Sequence, residues 1–214
     1  MTEKPKTDPS LDGAYALKTP EDSKKLYATW AESYDETFAE AHDYLSPRLV
    51  AEAFREAGGC GPVLDVGAGT GLCGAALVGL GVGPVEATDI SQEMLDVAAT
   101  KGIYARLFVG DLTAQLPVAD ESYAGIVSSG TFTNGHVGPE AFDELLRIAR
   151  PGAQFALSIN TEHYVAEGFE AKLEALSDQI TDLRLPVIRF YGENATGDHK
   201  DDTGYVALFR KVRD

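Results

Sequence analysis

The chain has 214 residues, a length that fits one domain with a sizeable core, and an ordinary apolar fraction of 44%. It carries 18 basic and 34 acidic residues, a formal net charge of −16. A field of that sign disfavours nucleic acid and anionic membrane surfaces, both of which need a basic face; beyond that it reads as a solvated acidic surface with no functional message, or as a preference for neutral or cationic substrates.

Residues 1–18 are polar and proline-bearing and read as a mobile tail. No apolar core of a signal peptide appears there, and the most apolar stretch, residues 75–82, is too short to span a bilayer. The two cysteines, Cys60 and Cys73, form no C-x-x-C pattern, and no histidine stands at metal-ligand spacing. That usage points to a reducing, cytoplasmic compartment and no structural metal.

Residues 19–214 read as a single domain that opens with a helical segment, 19–58. Thr19-Pro20-Glu21-Asp22 is a helix start, with a capping threonine, a proline and acids in the first turn. Tyr27, Trp30 and Tyr34 follow on one helical face, as a core stripe, a lid over a ligand, or both. Ser46-Pro47 starts a second helix with Val50, Ala53, Phe54 and Ala57 as its buried stripe, and Gly58-Gly59 stops it.

The first strand then runs into Val63-Leu64-Asp65-Val66-Gly67-Ala68-Gly69-Thr70-Gly71. An apolar run, an internal acid and three glycines before a helix build a nucleotide-type pocket at the strand's carboxyl end. The glycine spacing is G-x-G-x-G, with Leu72 next, so it departs from the dinucleotide pattern G-x-G-x-x-G. A helix continues through Leu80, and Gly79, Gly81, Gly83 and Pro84 mark the return.

Residues 85–89 form the second strand, and Asp89 ends it at a distance suited to ribose hydroxyls, while Ser91 caps the following helix. Ile90 is placed to pack on a base. The helix from Gln92 closes at Lys101-Gly102, and residues 104–109 form the third strand. Asp111, after it, reads equally as a turn residue.

A fourth strand, 124–128, leads into a small, polar loop over residues 128–137, the leading candidate for substrate contact. A helix built on Phe142, Leu145, Leu146 and Ala149 ends at Arg150-Pro151-Gly152, and residues 154–159 form the fifth strand. Asn160, His163 and Tyr164 follow at the same rim. Val165, Phe169, Leu173, Leu176, Ile180 and Leu183 keep a helical stripe up to Pro186. Residues 187–191 and 205–210 alternate like strands and suggest a terminal antiparallel hairpin.

VLDVGAGTG resembles the first motif of class I S-adenosylmethionine-dependent methyltransferases. LYATWAESYDETF, YLSPRLVAEAF, ATDISQEMLDVA and SGTFTNGHVGPEAFDELLRIARPGA are similar to segments of the Williams–Beuren syndrome region methyltransferase-like group within that class. The resemblance covers roughly residues 27–150. It implies a Rossmann-like, mostly parallel seven-stranded sheet with helices on both faces and a C-terminal antiparallel hairpin. It also implies S-adenosyl-L-methionine as cofactor, with Asp65 toward the amino group, Asp89 on the ribose and Asp111 near the adenine amino group. The cofactor-binding set it implies is Tyr27, Trp30, Tyr34, Asp65, Gly67, Ala68, Gly69, Gly71, Asp89, Ile90, Met94, Asp111, Leu112 and Ser128.

Methyl transfer is an in-line displacement that needs alignment and exclusion of water more than a fixed catalytic triad. If an acceptor proton must leave, the candidate bases are His136 and His163, and less so Tyr44; His42 and His199 read as structural or solvent-facing. The acceptor expected by elimination is a small organic molecule. The alternatives are a binding module for the cofactor or its demethylated product, and a nicotinamide-dependent oxidoreductase. Against the latter stand the glycine spacing, Asp65 and the terminal hairpin.

Overall fold

A computed structural model describes residues 26, 30, 31, 34, 35, 43–133, 137–193, 195, 196 and 199–213. The tail over residues 1–18, Tyr27, His42 and His136 lie outside the described residues.

The elements run α1 (Ser46–Glu56), β1 (Val63–Val66), α2 (Leu72–Gly79), β2 (Val85–Asp89), α3 (Gln92–Thr100), β3 (Arg106–Val109), β4 (Tyr123–Phe132), α4 (Ala141–Ile148), β5 (Ala149–Asn160), α5 (Thr161–Ala166), α6 (Phe169–Ala175), β6 (Ile180–Arg184), β7 (Val187–Arg189) and β8 (Thr203–Lys211). They form one sheet in the order β3-β2-β1-β4-β5-β8-β6. The first five strands in that order are parallel; β8 is antiparallel to β5, β6 and β7. β6 and β7 pair with opposite ends of β8, through residues 208–211 and 203–205 respectively. Eight strand segments thus fill seven positions, in line with the expected mostly parallel seven-stranded sheet with an antiparallel C-terminal end.

Burial on both faces explains the sequence of the central strand. All four residues of β1 are buried, so it reads as a continuous apolar run broken only by Asp65. On one face Phe132, Phe142, Phe169 and Phe209 pack edge to edge or tilted, with centroids 5.6–6.1 Å apart, and Phe209 stacks on Phe155 at 4.5 Å. On the other face Val50 and Phe54 of α1 meet Leu77 of α2 and Val127, Ala156, Val206 and Leu208 of the sheet. The Phe54 ring occupies the space that a Cβ at Gly59 or Gly125 would take.

Three expectations are corrected. The helical stripe across residues 165–183 is broken at Gly168, which adopts φ +74°. Two short helices and β6 replace it, Val165 is 78% exposed, and Leu183 lies on a strand. Here a strand's pairing with β8 overrides helical spacing. The third strand begins at Arg106 rather than 104, because Tyr104 turns inward to meet Asp65. The fourth strand runs on to Phe132 instead of ending at 128, through a register shift against β5 that contains Gly130 at φ +83°.

Phe142→Ala removes the ring common to three of these aromatic contacts. It should cost about 3–5 kcal/mol of stability, measured by urea denaturation.

Candidate functional site

The carboxyl ends of β1, β2 and β4 open onto one cavity. Its wall includes Asp65, Gly67–Thr70, Asp89 and Ile90, then Gly110–Thr113 and Ser129–Thr133. Tyr34, Tyr44, Pro47, Val137, Ser158, Phe190 and Tyr191 complete the opposite side.

Each glycine of the turn has its own reason to be bare. Gly67, Gly69 and Gly71 have φ of +63°, +54° and +92°, the left-handed region that side chains avoid. A Cβ at Gly67 would overlap Thr131 Oγ1, which donates to the carbonyls of Val66 and Gly67 at 3.2 and 3.4 Å. A Cβ at Gly71 would stand 2.9 Å from the Tyr104 ring. At Gly69 it would meet nothing within 4 Å, so there the main chain faces open space. That is the cradle an extended ligand needs.

Asp65 is fully buried. Its Oδ2 accepts a hydrogen bond from the Tyr104 hydroxyl at 2.7 Å. Its Oδ1 has no hydrogen-bond partner among the described residues. Burial raises its pKa from 3.8 to about 7, opposed by the Tyr104 hydroxyl and the Gly74 amide and assisted by the negative charge of Asp89. A buried acid left half satisfied at a cavity wall fits a group that brings a positive charge and N–H donors, such as a ligand's ammonium.

Asp89 ties two segments together. Its Oδ2 accepts from Gly69 N at 2.8 Å and its Oδ1 from Ser91 N at 2.9 Å. Burial raises its pKa, and the amides of Ser91, Gly69 and Ile90 hold that rise back. The carboxylate still has acceptor capacity left for a hydroxyl donor. Ser91 caps α3 through Met94 N, as its position suggests. Asp111 accepts from Thr113 N at 2.8 Å and Thr113 Oγ1 at 2.7 Å, a turn geometry, and still lines the cavity.

Ala68, Ile90, Met94 and Leu112 line the same wall, as does Tyr34. Gly71, Trp30 and Ser128 do not: Trp30 is buried at 1% exposure, and Ser128 Oγ donates to Val66 O at 2.8 Å within the sheet. Its neighbour Ser129 is the one that reaches the cavity. His163 is also placed outside the wall. Its Nε2 lies 3.0 Å from Val137 O and its ring packs on Phe169, so it braces the end of the loop that Val137 belongs to.

Sequence reasoning missed Tyr104, Pro47, Ser158, Phe190 and Tyr191. Apart from Pro47, which lies in the YLSPRLVAEAF segment, none falls in a motif; Tyr191 reaches the cavity because its backbone bridges Tyr44 across the chain, with Leu45 N donating to Phe190 O at 2.8 Å. The N-terminal segment is held to the glycine turn by Asp35, which accepts from Thr70 Oγ1 and Lys101 Nζ, both at 2.5 Å. Among the described residues no cluster of three metal-ligating side chains occurs.

Residues 63–152 match the methyltransferase-domain family. Human methyltransferase-like protein 27 is 32% identical over 168 residues, which cover 75% of this chain and 67% of that protein. The demethylmenaquinone methyltransferase of Renibacterium salmoninarum is 32% identical over 148 residues, 66% of this chain and 60% of the relative's length. Among solved structures, a TehB-like SAM-dependent methyltransferase from Corynebacterium glutamicum aligns with a TM-score of 0.59 at 22% identity, covering 86% of this chain and 97% of that one.

Asp65 makes the ligand-free protein sensitive to pH. Its folded-state pKa is raised, so the stability it contributes is full below about pH 4 and is lost as pH rises through about 7. Between pH 5 and 8 this group should cost on the order of 2–4 kcal/mol. Urea titrations of the wild type and Asp65→Asn should show a steeper decline in the wild type.

Proposed function

The chain belongs to the methyltransferase-domain family, a methyltransferase enzyme whose cofactor is S-adenosyl-L-methionine, and we propose that it methylates a small, uncharged or cationic organic acceptor. The observation that carries this reading is the division of the cavity. The only charged side chains among its described lining residues are Asp65, Asp89 and Asp111, all at the ends of β1, β2 and β3. The remainder is built from Tyr44, Pro47, Phe132, Val137, Phe190 and Tyr191, with the hydroxyls of Ser129, Thr131, Thr133 and Ser158 among them. A carboxylate or phosphate on the acceptor would find no cation there among the described residues, and the chain's net charge of −16 works against it as well.

In this reading Asp65 receives the ammonium of the donor's methionine part, Asp89 the ribose hydroxyls, and Asp111 lies toward the adenine. Ile90, Met94 and Leu112 supply apolar contact for the base, and Gly69 lets the ligand approach the main chain. The bound cofactor supplies an electrophilic methyl on a sulfonium. The protein's own part is to fix donor and acceptor in line and to exclude water. Burial raises the pKa of the Tyr44 hydroxyl, which disfavours it as a base, and it lies 3.5 Å from Ser129 Oγ. It serves better as a hydrogen-bond donor that orients the acceptor. His136 remains the candidate base, and His163 acts through the loop that it braces.

The N-terminal segment, residues 19–58, is proposed as a lid on a single domain spanning 19–214. The link from Asp35 to Thr70 and Lys101 supports that role. The identity to human methyltransferase-like protein 27 supports placement in the Williams–Beuren region-like group. An exposed Cys60 and a buried Cys73, both free thiols, support a reducing, cytoplasmic setting.

Labelled S-adenosylmethionine should transfer its methyl to neutral or cationic members of an acceptor panel and not to their carboxylated analogues. Preferred turnover of the carboxylates would refute the acceptor class. Asp89→Ala should weaken cofactor binding by on the order of 1–3 kcal/mol, read by calorimetry; unchanged affinity in a folded variant would take Asp89 out of the site. Tyr191→Ala should raise the acceptor KM about tenfold, the loss of one buried aromatic contact, and leave cofactor affinity as it was.

A further inference from the structure

Tyr104 precedes β3 in an irregular segment, yet its side chain crosses to the centre of the site. Its hydroxyl donates to Asp65 Oδ2 at 2.7 Å. The ring reaches that point across two bare positions. A Cβ at Gly71 would stand 2.9 Å from Tyr104 Cε2, and one at Gly74 would overlap the hydroxyl itself. Gly74 is buried in the first turn of α2, where glycine is a poor helix former, so its presence answers to this packing.

The contact makes the two oxygens of Asp65 unequal. Oδ2 is held, while Oδ1 is buried without a partner among the described residues, in a side chain that lines the cavity. The groups facing Asp65 from the surrounding elements are few. Cys73 of α2 is a buried thiol whose pKa is pushed well up, so it stays neutral. Asp89 of β2 is negative and opposes ionisation of Asp65. The Gly74 amide and the Tyr104 hydroxyl favour it. Tyr104 itself is pushed well above the usual phenol range by burial and by the neighbouring acid, so it remains a proton donor throughout.

We propose that Tyr104 is a positioning residue: it holds one oxygen of Asp65 and so aims the other at the amino group of the methyl donor. The inference rests on the reading that Asp65 meets that group. Turning a symmetric carboxylate into one held and one free acceptor fixes the direction from which the ammonium is bound. It also favours the ionised form that the ammonium requires.

The test is the affinity for S-adenosylhomocysteine, measured by calorimetry from pH 5.5 to 8, alongside the melting temperature of each variant. In the wild type, affinity should rise with pH as Asp65 ionises. Tyr104→Phe keeps the ring against the glycines and removes only the hydroxyl. It should weaken binding about tenfold near neutral pH and move the binding midpoint upward by roughly one pH unit, the loss of one hydrogen bond to a charged group. Gly74→Ala, which displaces the phenol from the other side, should move the midpoint the same way.

Asp65→Asn should bind weakly with no midpoint in this range. A lower melting temperature with an unmoved midpoint in both Tyr104→Phe and Gly74→Ala would overturn the proposal and leave Tyr104 a packing residue. Wild-type affinity and pH dependence in Asp65→Asn would instead remove Asp65 from the ligand, and the reading beneath the proposal with it.

Discussion

A carboxylate buried in the middle of a parallel sheet, with one oxygen unanswered, is the constraint around which this molecule is arranged. Strand β1 is inaccessible along its whole length, and an acid there is costly unless something repays its desolvation. Inside the protein the repayment is partial. One phenol hydroxyl and one amide favour the charge, while a second acid on the next strand opposes it. The folded chain therefore keeps a group that is only partly ionised near neutral pH when alone and fully charged beside a cation. A site of this kind sacrifices some stability in the ligand-free state for affinity in the bound one, a trade found where function overrides local packing.

The glycine turn is organised by the same geometry. Gly67 gives way to Thr131 of the neighbouring strand, Gly71 and Gly74 give way to Tyr104, and Gly69 alone is left open toward the cavity. A motif that reads as a uniform loop of small residues thus contains three different demands. Asp89 links them to the second strand by accepting from Gly69 N, so the residue aimed at a sugar also sets the position of the main chain beside it. Asp35 joins the N-terminal segment to the same turn through Thr70 and Lys101. Parts far apart in the chain converge on five consecutive residues.

Much of this was legible in the sequence because it is local. Strand, turn and helix in the order of residues 63–80, the acid at 89, the cap at Ser91 and the antiparallel end of the sheet all follow from spacing and residue type. What was not legible depends on contacts between distant segments. Tyr104 carries no periodic signal, and only the fold shows why Gly74 stands in a helix. Tyr191 enters the cavity through a bridge to Tyr44, 147 positions away in sequence terms a distance no local pattern spans. The stripe of residues 165–183 misled for a related reason: pairing with β8 decided its last segment, and that partner comes later in the chain. In the sequence Ser128 stands at a strand end and His163 just past one, but strand alternation turns Ser128 into the sheet and a backbone carbonyl takes up His163.

The most direct test of the account is proton exchange on binding. Calorimetry of S-adenosylmethionine near pH 6.5, repeated in buffers of different ionisation enthalpy, counts the protons that leave or enter. An acid with a pKa near 7 in the free protein that meets an ammonium must give up its proton, so roughly half a proton or more should be released per ligand bound. Tight binding with no proton release, or with uptake, would contradict the claim that Asp65 ionises to hold the donor.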